Sequence, residues 1–250
     1  VRFVFITKTS TELEMDGVFS AAWNPVGKEI AFVGQVGNSS DIYIYNMSDG
    51  THKKITDDIF TDSYPSWNSQ GTEIVFVSDR GDYINGDFDG TMFNHNYRQT
   101  DIYTVNVASG NITRITETDF NESHPIWANT KNSLFYTADR NGVWNLYIHP
   151  LESEFDPNPG TQNDLIKPYA ISNVLTGLQQ PTLSRDDDIL IFAGYAGIGW
   201  DLYSLVNPLK LPKKEVEPTQ YEMSRKTDDE KITDLRKHKS SQQGKGFSEG

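Results

Sequence analysis

Cysteine is absent from all 250 residues, which excludes a disulfide framework, a thiolate metal site and a cysteine nucleophile. No run approaches the roughly eighteen consecutive apolar residues that a membrane-spanning helix needs, so no insertion by this segment is expected. Basic side chains are scarce in the first part of the chain. Residues 1–208 hold 12 Lys and Arg against 27 Asp and Glu. A body that acidic repels phosphate backbones, so nucleic acid is not an expected partner; the charge reads as a solubilising coat on a large surface. Histidine occurs five times, with no pair at metal-ligand spacing. HExxH, GxSxG and the phosphate-cradling GxxxxGK are all missing. The opening "VRFVFITKTS" has no charged n-region or cleavage site, begins with Val and alternates like a strand. It reads as part of something longer or matured, located in the periplasm or cell envelope if an exported leader preceded it.

Aromatic residues at 12 %, with 19 Gly and 11 Pro, suit strands punctuated by tight turns, and those strands recur in order. Four segments align: "FSAAWNPVGKEIAFVG…SDIYIYN", "SYPSWNSQGTEIVFVSDR…TDIYTVN", "SHPIWANTKNSLFYTADRNGVWNLYIHP" and "QQPTLSRDDDILIFAGYAGIGWDLYSLVNP". Trp23, Trp67, Trp127 and Leu183 share one position. Asp41, Asp101, Asn145 and Asp201 share another, each followed by an apolar residue and Tyr. The interval between the two positions is 18 residues in units one, three and four, and 34 in unit two. Unit two therefore carries an insertion of 16. Repetition at this period marks an array in which one supersecondary unit is stacked on the next.

Each unit contains about four short strands, alternating as in "EIVFVSD" and "DIYTVNV", with Gly where a hairpin turn needs positive φ. Four-stranded units in series describe an all-β propeller. The repeated Trp is then an anchor between blades, and the repeated Asp accepts hydrogen bonds from a turn of its own blade. An active site needs one constellation rather than four copies, so neither position is a catalytic candidate.

These phrases resemble the repeats of TolB-like propellers, WD40-like blades without the WD dipeptide. The resemblance covers about residues 17–207, clearest in the second unit; Leu183 and "SRDDDIL" depart from it in the fourth. It implies a non-enzymatic, protein-binding scaffold within a larger bacterial envelope protein, and a ring of about six blades of which four are visible. The organisation expected is a propeller over 1–208, with units at about 17–56, 60–116, 120–176 and 178–207. Residues 2–7 form a strand of either a preceding or a closing blade. Residues 209–250 hold few apolar side chains, so a disordered charged tail or linker is expected there.

Two features stand outside the repeat. The insertion, "GDYINGDFDGTMFNHNYRQ", places Asn85, Asp87 and Asp89 at the first positions of a calcium-loop pattern, with Asn96 where a bidentate Glu is expected. Calcium is the only cofactor it suggests. Its aromatics Tyr83, Phe88, Phe93 and Tyr97 are candidate contacts for a partner. Tyr64 in "SYPSW" and His124 in "SHPIW" mark the entry to each innermost strand, near the mouth of a central channel, and are the candidate binding residues for a protein or peptide. An alternative is the substrate-gating propeller of a prolyl-oligopeptidase-type or tricorn-like serine peptidase whose catalytic domain lies elsewhere. A propeller glycosidase would need two funnel carboxylates, which the sequence does not place.

Overall fold

The computed structural model describes residues 15–84, 95–152, 167–220 and 222–224. Among the described residues fifteen strands form four antiparallel sheets that succeed one another as propeller blades. Blade 1 runs outward as β1 (Gly17–Trp23), β2 (Glu29–Val36), β3 (Ser39–Asn46) and β4 (His52–Lys54). Blade 2 is β5 (Asp62–Trp67), β6 (Glu73–Ser78), β7 (Asp101–Asn106) and β8 (Ile112–Arg114). Blade 3 is β9 (Glu122–Trp127), β10 (Ser133–Ala138), β11 (Asn145–Pro150) and β12 (Tyr169–Ala170). Blade 4 has three strands among the described residues: β13 (Leu178–Leu183), β14 (Ile189–Ala196) and β15 (Gly199–Val206). The innermost strands β1, β5, β9 and β13 touch in that order. Residues 2–7 lie outside the described residues.

Every innermost strand carries the same irregularity. Its pairing slips by one residue, at Phe19–Ala22, Ser63–Ser66, Ser123–Ile126 and Gln179–Thr182. Within each bulge one non-glycine residue is left-handed: Ser20 (φ 51), Tyr64 (φ 53), His124 (φ 50) and Gln180 (φ 54). Three are followed by Pro65, Pro125 and Pro181; proline lacks an N–H, but inside the bulge these positions have no ladder partner, so no ladder hydrogen bond is lost. Left-handed non-glycine residues cost free energy, and those that persist concentrate at working surfaces.

Period-two alternation gives each blade two apolar faces, and neighbouring blades share them. The face of blade 1 with Ala31, Val33, Ile42 and Ile44 packs on Trp67, Ile74, Phe76, Tyr103 and Val105 of blade 2. Val75 and Ile102, on the reverse of blade 2, pack on Leu134, Tyr136 and Tyr147. Phe135, Leu146 and Ile148 then meet Leu190 and Phe192. Trp67 is 6 % exposed, and its Nε1–H donates to the Ala22 carbonyl at 3.1 Å. At the same hairpin end of the junction Gly71 turns at φ +68, and a Cβ there would stand 2.4 Å from Asn24 Oδ1, so glycine suits this close approach of the two blades. Blades 3 and 4 are tied by buried Asp187, which accepts from the backbone N–H of Asn129 (2.9 Å) and Thr130 (2.7 Å) and from the Thr130 hydroxyl (2.7 Å).

Three expectations need correction. Trp23 is not a buried anchor: it is 60 % exposed, since no described blade precedes blade 1. Asp41, Asp101 and Asn145 are buried acceptors, from Asp58 N–H (3.2 Å), Thr118 N–H (3.3 Å) and Val174 N–H (2.9 Å). Asp201 is exposed, because its blade has no described fourth strand or following loop to supply a donor. Finally, the chain does not leave the propeller at Leu209. Pro208–Lys210 forms a 3-10 turn, Leu209 and Leu211 pack on the blade 3–4 core, Lys214 bridges Ala170, and Thr219 N–H donates to Asn141 O at 3.0 Å. A few well-spaced apolar side chains dock this stretch despite its low average hydrophobicity.

Candidate functional site

In an antiparallel blade the loop from the second to the third strand and the link to the next blade emerge at one end. That end holds the start of each innermost strand, and hence all four bulges. Here Tyr64 and His124 meet, their ring centroids 3.9 Å apart. Neither is a neighbour in sequence; the equal position of the two bulges in adjacent blades brings them together. Ser123 Oγ lies 2.9 Å from His124 Nδ1, and burial pushes the imidazole down to about 4, so it is neutral at physiological pH. A cavity of about 240 Å³ opens beside the pair, lined by Tyr64, His124, Trp144, Thr176, Gln179 and Trp200 among others.

Beneath this face lies a feature that sequence reading missed. Arg80 is fully buried and donates to both carboxylate oxygens of Asp62, at 2.7 and 2.8 Å, with Asp58 at 3.0 Å. Phe60, Phe76 and Tyr103 surround the guanidinium at 5.3–5.8 Å. Blade 3 repeats the plan with looser geometry: Arg140 stands 3.7 Å from Glu122, donates to the Tyr136 hydroxyl at 3.1 Å and lies over Tyr147 and Phe120. Burial raises Asp62 to about 6 and Glu122 to about 7. The signal was present as "SDR" and "ADR" at equivalent places. The preceding Asp residues also match: Asp79 and Asp139 accept from Thr61 and Asn121 N–H, each at 2.8 Å. These groups clamp the inter-blade link to the hairpin loop. Asp41, Asp58 and Asp62 come within 4.8 Å of one another, but Lys54 (2.9 Å from Asp41) and Arg80 already supply their positive charge. The cluster is a salt-bridge network.

The described ends of the insertion, residues 81–84 and 95–99, lie at the same end of blade 2. Asn85, Asp87, Asp89, Phe88 and Phe93 lie outside the described residues, and the calcium pattern with them. At the base of the insertion, Tyr83 stacks on Phe60 at 5.7 Å, while Tyr97 is exposed beside Arg98. Gln99 donates to the Thr118 and Phe120 carbonyls, at 2.9 and 2.6 Å, and anchors the descending arm. No helix among the described residues is long and apolar enough to cross a membrane.

The fold is that of the TolB-like propellers. The chain superposes on TolB from Acinetobacter baumannii with a TM-score of 0.58, at 19% identity, covering 82% of this chain and 44% of that one. For a putative TolB from Agrobacterium tumefaciens the TM-score is 0.57, at 17% identity, covering 76% of this chain and 61% of that one. In sequence, the chain is 24% identical over 141 residues to dipeptidyl-peptidase 5 of Porphyromonas gingivalis, 52% of this chain but 19% of that protein. No family model matches. The chain therefore spans less than two thirds of each of these relatives.

Proposed function

We propose that this chain is a non-enzymatic interaction scaffold, a TolB-like propeller within a larger bacterial cell-envelope protein, which binds a protein or peptide on the face bearing the bulges. The observation that carries this reading is the close Tyr64–His124 ring contact, formed by two left-handed residues at equivalent bulges of adjacent blades. The likeness to two TolB structures supports the scaffold role and the envelope location. The acidic surface suits a partner with basic or neutral contacts rather than a polyanion. To test it, a photo-crosslinking residue is placed at Tyr64 in the native polypeptide and, as control, at His52 on the outer strand. Crosslinking in cells to a defined envelope protein from position 64 alone is the expected result. Equal or absent crosslinking at the two positions would remove the reading.

A second reading has its own support in the sequence match to a dipeptidyl-peptidase. In that case the propeller gates access to a catalytic domain carried elsewhere on the same polypeptide. Labelling of the native polypeptide by a fluorophosphonate, with release of dipeptides, would decide for it.

A further inference from the structure

The cavity beside Tyr64 and His124 differs from the rest of this acidic molecule in its lining. Tyr64, Ser123, His124, Thr137, Trp144, Thr176, Gly177, Leu178, Gln179 and Trp200 include no Asp, Glu, Lys or Arg. The surrounding chain, by contrast, has a formal charge of −13. The imidazole is neutral for the reason given above. A charged ligand group entering here would lose hydration and find no counter-charge, which is unfavourable.

What the cavity does offer is rings with polar edges. The Tyr64 hydroxyl, His124 Nε2, the Gln179 amide and the indole N–H groups of Trp144 and Trp200 make no hydrogen bonds among the described residues. Both donors and acceptors are thus unspent, spaced around a volume of about 240 Å³. That is below the roughly 300–1,000 Å³ of drug-sized sites and has room for one ring-sized group. An apolar side chain would fill the space but strand those polar groups; a carboxylate or ammonium would lack a partner. A group with apolar C–H faces and a rim of neutral hydroxyls satisfies both the rings and their edges.

We infer that this cavity binds one neutral saccharide unit, a hexopyranose, whose C–H face lies on the aromatic rings while its hydroxyls meet the free edges. The inference rests on the bulge-bearing face being the working surface of the propeller. It adds that the partner presented there carries a neutral glycan, or that free glycan competes with it. Trp144 stands on the loop between β10 and β11 of blade 3 and Gln179 on β13 of blade 4, so two blades contribute to the lining.

The test is a titration of the purified 250-residue chain, followed by tryptophan fluorescence and saturation-transfer NMR. The probes are maltose, cellobiose and diacetylchitobiose, with digalacturonate as the acidic control. At least one neutral disaccharide is expected to saturate the chain, about tenfold more tightly than digalacturonate. Trp144→Ala and Gln179→Leu each weaken it about tenfold, and Trp144→Phe retains it. Circular dichroism of each variant verifies the fold, and Val26→Ala on the opposite face leaves binding unchanged. Failure of all three neutral sugars to saturate, equal binding of digalacturonate, or binding that survives Trp144→Ala overturns the proposal. Crosslinking of a protein at position 64 without any sugar binding would retain the scaffold reading and discard this one.

Discussion

Blade 2 and blade 4 share a register but not an environment. In blade 2 the pairs Val75–Thr104 and Val77–Ile102 look toward blade 3; in blade 4 the matching pairs are Ile191–Ser204 and Ala193–Leu202. Ile102 is 0 % exposed and Leu202 is 80 % exposed. Ile189, Tyr195, Trp200 and Val206 extend the open face of blade 4, all on the same side of the sheet. The β15 edge is also unpaired among the described residues, whereas β7 is covered by β8. The same pattern that produces a core in blade 2 therefore produces an exposed apolar sheet in blade 4. Blades of this kind owe their stability to neighbours more than to their own hydrogen bonds. Contiguous apolar surface of this extent marks a place where another surface belongs.

The largest expected effect comes from the anchors of this stacking. Trp67→Ala should lower stability by about 3–5 kcal/mol, the usual cost of emptying a sealed aromatic site. Trp23→Ala, at the equivalent but exposed position, should cost less than about 1 kcal/mol. Equilibrium denaturation of the two variants measures both, and equal losses would mean that the free face of blade 1 is sealed after all.

The two buried ion pairs sharpen the same contrast within the sealed region. Asp62→Asn removes the two-oxygen partner of Arg80 and leaves Asp58 as its remaining carboxylate, so it should cost about 3 kcal/mol, the low end for breaking a buried pair. Glu122→Gln removes a carboxylate that burial already disfavours, so it should cost much less, and above pH 7 nothing. The sign follows from linkage. Glu122 is raised from its ordinary 4.5 to about 7, so across that window the folded chain holds a proton that the unfolded chain has lost. Stability therefore falls as pH rises through it. Asp62, raised from 3.8 to about 6, adds the same sign lower down. Above pH 6 Asp62 is past its midpoint and Glu122 carries most of the remaining slope of the two, so Glu122→Gln should flatten that slope in thermal melts.

Much of this was legible in the sequence. The repeat period, the blade boundaries and the second unit's insertion follow from recurring Trp, Asp and turn residues, because blade packing demands one side-chain size at one register. Tyr64 and His124 were legible as candidates because their places in the repeat match, although their contact and left-handed backbone were not. The recurring proline after each bulge in units two to four was the signal for that. Burial of the repeated Trp and Asp was over-read for Trp23 and Asp201. A repeat reveals what a position can pack against, whereas only the neighbour determines whether it does. The docking of residues 209–220 was hidden for the opposite reason, since a few placed leucines act where average composition sees a polar linker.

The most direct test of the neighbour-sealing account is amide hydrogen exchange resolved by strand on the purified chain. The account predicts slow exchange in β6, β7, β10 and β11, and exchange in β15 faster by orders of magnitude, because its outer edge and one face are open. Protection of β15 equal to that of β7 would contradict it. Blade 4 would then be as well covered as blade 2, and the open face described above would not exist in solution.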